Sequence, residues 1–69
     1  MATIIQGPVA QKLIRLPEVR QRVPLSRSMI YELMSRGEFP TPVSLGARSV
    51  AWIESEVDAW VETKITERR

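Results

Sequence analysis

The apolar positions of this chain fall into short runs whose spacing changes from one segment to the next, and proline, glycine and serine punctuate the gaps. Val19 and Val23 stand four apart behind Pro17, and proline suits the first turn of a helix, where its missing N–H would go unpaired anyway. A first helix is therefore expected from Pro17 to Val23, with Glu18 at the positive end of its dipole and Arg20 and Arg22 pointing away from the apolar side. Pro24 cannot continue that helix and pushes Val23 out of the helical region, so the stop is coded locally.

Two residues later Ser26 is a good N-cap, and Ile30, Leu33 and Met34 make an i, i+3, i+4 stripe. A second helix is expected from Ser26 to about Arg36, closed by Gly37, which can take the positive φ of a helix C-terminus. Arg27, Ser28, Tyr31, Glu32 and Ser35 are left on its outward and flanking faces. Pro40 and Pro42 then enforce an extended path.

Val43 to Leu45 and Val50 to Trp52 read as strands joined across Gly46, Ala47, Arg48 and Ser49, with the glycine supplying the turn. Ser55 and Asp58 match the S-x-x-D variant of a capping box, so a last helix is expected to open near Ser55. Val57, Trp60, Val61 and Ile65 share its inward stripe, and Thr66 to Arg69 are expected to fray. Before the first helix, Lys12 to Leu16 reads as a short strand or a lead-in, and Met1 to Gln11 as a flexible arm with a transient strand at Thr3 to Ile5.

These elements predict a mainly α fold with a small β-hairpin, namely a winged helix-turn-helix of three helices and a two-stranded wing. The expected layout is an arm over 1–11, one domain over 12–66 and a frayed end over 67–69. A domain this small buries only about 60% of the surface its unfolded chain would expose, so its core is thin. Val19, Ile30, Leu33, Phe39, Val43 and Val57 are the expected core, with Trp52 and Trp60 as its large members rather than as base-stacking platforms.

Composition narrows the chemistry. The 69 residues contain no cysteine and no histidine, which removes disulfides, the usual zinc ligand sets and the commonest general base. There is no glycine-rich phosphate cradle, the serines sit in caps and turns, and Glu54 with Asp58 reads as a solvated helix face. No enzyme, metal or cofactor is expected. No apolar run approaches the ~20 residues of a membrane span, and no secretory signal is visible, so a cytoplasmic location is expected.

Net charge is only +2, but its distribution is uneven. Arg15, Arg20, Arg22, Arg27, Arg36 and Arg48 face just three acids in their stretch, whereas Glu54, Glu56, Asp58 and Glu62 are opposed only by Lys64 in theirs. Such polarity orients a molecule on a polyanion. A short helix, a tight turn and a second helix with a basic first turn are what major-groove insertion requires. The candidate duplex contacts are therefore Ser26, Arg27, Ser28 and Tyr31 on the second helix, Arg36 at its end, Arg20 on the first, and Arg48 with Ser49 on the wing. Arg48 at a hairpin tip is placed to enter a neighbouring minor groove or clamp a phosphate.

Three stretches, RLPEV (Arg15 to Val19), LSRSMIYELMSRGEFPTPVSLG (Leu25 to Gly46) and RSVAWIESEVDAWV (Arg48 to Val61), resemble the AlpA family of small phage-associated transcriptional regulators. More distantly they are similar to phage excisionases and the DNA-binding heads of MerR-type regulators. The resemblance covers nearly everything from Leu13 to Lys64. It implies a winged helix-turn-helix that binds specific duplex DNA, with its reading helix on Ser26, Arg27, Ser28 and Tyr31 and its wing on Ala47, Arg48 and Ser49. The chain departs from the usual pattern at Val23-Pro24, where a glycine often precedes the Leu-Ser pair, and at Met29, where a threonine is usual.

A transcriptional regulator of phage or prophage type is thus the leading expectation. An excisionase-like factor bending DNA for a recombinase and a small protein-interaction adaptor are its alternatives. Double-stranded DNA is the expected partner, with self-association on repeated sites and contact with RNA polymerase or an integrase as further expectations.

Overall fold

The computed structural model describes residues 11–68. The arm expected over 1–11 and its transient strand at Thr3 to Ile5 therefore lie outside the described residues, apart from Gln11. The chain runs β1 (Leu13–Ile14), α1 (Leu16–Arg22), α2 (Arg27–Ser35), β2 (Val43–Gly46), β3 (Ser49–Ile53) and α3 (Glu54–Glu67). This is a winged helix-turn-helix: three helices, with the β2–β3 hairpin as the wing.

The local signals act as their chemistry demands at α2. The Ser26 hydroxyl accepts from the Met29 N–H at 3.1 Å, satisfying one of the free amides of the first turn. At the other end Gly37 takes φ 72°, its N–H reaches the Met34 carbonyl at 3.0 Å, and the Glu38 N–H reaches Leu33 at 2.8 Å. That pair of bonds is a Schellman motif, and it turns the chain so that Phe39 drops into the core. Helix α1 opens one residue earlier than expected, at Leu16, with Pro17 in its first turn and Arg15 as N-cap.

The wing departs from expectation at its tip. Ala47 and Arg48 form the turn, and Arg48 takes the left-handed φ of 63° that usually falls to glycine or asparagine. Gly46 also has positive φ, 149°, where β2 bulges against β3: Ser44 pairs with Val50, yet Gly46 pairs with Ser49. All four residues of β2 are exposed, so Val43 is not the core residue its strand pattern suggests. Among the described residues β2 pairs only with β3, and none of its four residues is buried.

Strand β1 adds a third member, giving the order β1-β3-β2. Leu13 pairs with Ile53 and Ile14 with Trp52, and the Glu54 N–H bonds to the Lys12 carbonyl at 2.8 Å. This pairing overturns the expected capping box. β3 runs directly into α3, whose N-cap is Ile53 with no side-chain cap, and the Ser55 hydroxyl instead lies 3.4 Å from the Gln11 amide oxygen. α3 also continues through Thr66 to Glu67, past the point where fraying is expected.

One core holds these parts: Ile14, Val19, Val23, Ile30, Phe39, Trp52 and Val57, with Leu33, Trp60 and Val61 packed around it. Trp52 is fully buried, and its indole N–H donates to the Pro40 carbonyl at 3.1 Å. Trp60 donates to Glu38 at 2.8 Å and meets Phe39 edge-on, with ring centroids 4.9 Å apart. Both tryptophans are structural, and the indole bonds fix the proline-rich strap between α2 and β2. Ile65 does not reach the core and is 47% exposed, because α3 outruns the small domain beneath it.

Candidate nucleic-acid interface

The N-terminal end of α2 and the wing tip meet around one open concavity of about 400 Å³, lined by Arg15, Arg27, Tyr31 and Arg48 over a floor that includes Val50 and Trp52. Each element delivers its residue for a local reason. Arg15 is the N-cap of α1, immediately after β1 locks to β3. Arg27 is the first residue of α2 because Ser26 caps it. Arg48 occupies the left-handed position of the hairpin turn.

The Arg27 guanidinium lies over the Tyr31 ring, 5.5 Å from its centroid. Tyr31 in turn meets the buried Trp52 in an edge arrangement at 6.5 Å and 72°. A cation stacked on an aromatic that is itself braced by the core is held in place without being neutralised. Guanidiniums present a planar fork of donors, which suits bidentate contact with a phosphate or with the acceptor edge of guanine.

Of the residues singled out from sequence, Arg27, Tyr31 and Arg48 converge on this concavity, and Ser26, Ser28 and Ser49 neighbour them along α2 and β3. Ser26 spends its acceptor on the helix cap, Ser28 is exposed, and Ser49 is half-buried opposite Gly46. Arg36 and Arg20 are not brought to the cluster. Arg36 sits at the far end of α2, roughly 13 Å along the axis, paired with Glu32 and 3.9 Å from Glu38. Arg20 directs its Nε to the Leu25 carbonyl at 3.4 Å, bracing the turn between α1 and α2.

Arg22 does not point away from the body of the domain as the helix pattern suggests. It pairs with Glu54 and lies 3.5 Å from Asp58, tying α1 to the start of α3. Arg15 is the residue that sequence reading missed. Only the β1–β3 pairing places it beside Arg27 and Arg48, and a two-residue strand gives little local signal.

The fold and this basic concavity together define the molecule as a small winged helix-turn-helix module. Comparison with known proteins gives its family. The family described as "Prophage CP4-57 regulatory protein (AlpA)" matches residues 12–65. A relative named "DNA-binding transcriptional activator AlpA", from Escherichia coli (strain K12), is 34% identical over 61 residues, 80% of this chain and 87% of that protein. An "Uncharacterized protein ORF88" of Enterobacteria phage P4 is 51% identical over 59 residues, 86% of this chain and 67% of that protein. The chain belongs to the AlpA family, as its resemblance implies. Among the described residues no helix is long and apolar enough to cross a membrane.

Proposed function

We propose that the chain is a sequence-specific, double-stranded-DNA-binding transcriptional regulator of phage type. In this reading the first turn of α2 enters the major groove, while the wing tip holds the adjacent backbone or minor groove. The observation that carries it is the convergence of Arg15, Arg27 and Arg48 around one open concavity beside the exposed face of α2. Among the described residues, no salt bridge joins any of these three arginines to a carboxylate of the chain. The Escherichia coli relative, by name a DNA-binding transcriptional activator, supports the same reading.

The roles divide by chemistry. Arg27, at the helix start, reads a base edge, and Ser28 beside it is small enough to let the backbone approach. Arg15 and Arg48 flank it and take phosphates. Tyr31 supports Arg27 through its ring. Arg36 and Arg20, already engaged with the chain itself, contribute to the field rather than to contacts.

Selection of bound sequences from a random duplex pool tests this reading. A recovered motif centred on a guanine is expected. A pool that stays random after repeated rounds, with affinity no better than the ~10⁻⁴–10⁻⁶ M of non-specific contact, contradicts it.

A further inference from the structure

α2 carries a carboxylate on the face that the DNA-binding reading turns toward the groove. Ile30 is fully buried and marks the inward side of the helix. At about 3.6 residues per turn, Ser28 and Glu32, each two residues from Ile30, lie roughly 160° around the axis from it and straddle the line opposite the core. Ser35 falls on the same ridge one turn beyond Glu32, and all three residues are exposed. The Ser35 hydroxyl donates back to the Glu32 carbonyl at 2.7 Å, and Ser28 is short, so the Glu32 carboxylate is the longest group on this ridge.

An acid in that position works against a purely electrostatic grip. Phosphates repel it, as do O6 and N7 of guanine, N7 of adenine and O4 of thymine. Arg36, one turn on, pairs with Oε2 of Glu32 and offsets part of its charge. A carboxylate has about four lone-pair sites, so it can accept from a further donor while that pair is kept. In the major groove the donors are the amines of adenine and cytosine. Adenine's stands beside the N7 acceptor of the same base, whereas cytosine presents its amine alone.

We infer that Glu32 is a specificity-determining residue that selects cytosine by accepting from its N4 amine in the major groove. The inference rests on the DNA-binding reading and adds to it a second base position of opposite chemistry: Arg27 donates to guanine, and Glu32 accepts from cytosine. Five residues of helix separate the two, about 7.5 Å of axis, which puts their bases within about three base pairs of each other. Glu32 discriminates mainly by exclusion. A guanine or thymine at its position confronts a desolvated carboxylate with acceptors only, and the unpaired charge weakens the wrong complex more than the new bond strengthens the right one.

The test is selection from a random duplex pool by the full chain as parent, Glu32→Gln and Glu32→Ala, followed by titration of each on the parent's duplex and on one with the cytosine replaced by thymine. Glu32 is exposed, and circular dichroism verifies that the variants fold. The parent is expected to recover a cytosine within about three base pairs of the guanine and to prefer it over thymine by roughly tenfold, as one good base contact gives. Both variants should keep the guanine. Glu32→Ala should lose the cytosine preference, and Glu32→Gln should shift it toward adenine, whose N6 and N7 a carboxamide engages together. Both should also bind the thymine duplex more tightly than the parent does, a gain that a damaged fold would not produce. A cytosine preference that both variants share with the parent overturns the inference, as does a parent motif with the guanine and no position that responds to Glu32; in either case the DNA-binding reading stands. A parent that selects no motif contradicts that reading itself and the inference with it.

Discussion

The guanidinium of Arg27 rests over the ring of Tyr31, one turn further along α2, with 5.5 Å between its central carbon and the ring centroid. Tyr31 is fixed in turn by the buried Trp52. The cation therefore has a platform and not just a helix to stand on. Replacing Tyr31 with Phe keeps the platform and should leave affinity for the selected duplex within about twofold, whereas Tyr31→Leu removes it and should cost about 0.5–1 kcal/mol, the worth of an exposed cation–π contact. Equal losses in both variants, measured by fluorescence anisotropy, would instead assign the contact to the hydroxyl.

Arg48 combines a useful side chain with an unfavourable backbone. Its φ of 63° lies where a Cβ is costly. Arg48→Gly should therefore stabilise the fold by roughly 0.5–1 kcal/mol in urea unfolding, the relief being partly offset by the added freedom of glycine in the unfolded chain. The same variant should bind every duplex more weakly and flatten the salt dependence by about one unit of slope, as loss of one phosphate contact requires. A loss of stability would show that the arginine side chain, and not the turn, was sustaining the wing.

Ser26 ties the start of α2 to its own first turn. Ser26→Ala should cost about 1 kcal/mol of folding stability, seen as a lower midpoint in chemical unfolding with an unchanged slope. Ser26→Asp should retain the cap while placing a negative charge beside Arg27, so that stability is kept and DNA affinity falls. Divergence of the two readouts in that variant is the check.

The core has little to spare. Trp52 is fully buried and joins β1, the strap before β2 and the floor of the basic concavity. Trp52→Ala should cost about 3–5 kcal/mol, much of the stability available to so small a domain. Loss of cooperative thermal unfolding by circular dichroism is expected. A variant that still unfolds sharply near the parent temperature would refute the placement of Trp52.

What was legible in the sequence was what neighbouring residues decide among themselves. Pro24 ends α1, Ser26 opens α2 and Gly37 closes it, because each acts through backbone groups within a turn or two. Their agreement placed Arg27 and Tyr31 correctly on the exposed side of α2. Illegible were the features set by distant partners. Ser55 and Asp58 carry a capping pattern that goes unused, because pairing of Leu13 with Ile53 and of Lys12 with Glu54 feeds β3 directly into α3. Val43 alternates like a half-buried strand residue but lies on a wing behind which no other described element packs. Arg15 and Arg22 look alike on the page. The fold turns one toward the concavity and the other toward Glu54 and Asp58.

The most direct test of the central claim is a salt-dependent binding titration of the parent and Arg27→Ala on the selected duplex and on one with its central guanine replaced. The parent should prefer the selected duplex, and Arg27→Ala should lose about 1–3 kcal/mol on it and nearly nothing on the altered one, erasing the preference. An Arg27→Ala protein that discriminates between the two duplexes as well as the parent does would contradict the assignment of α2 as the reading helix.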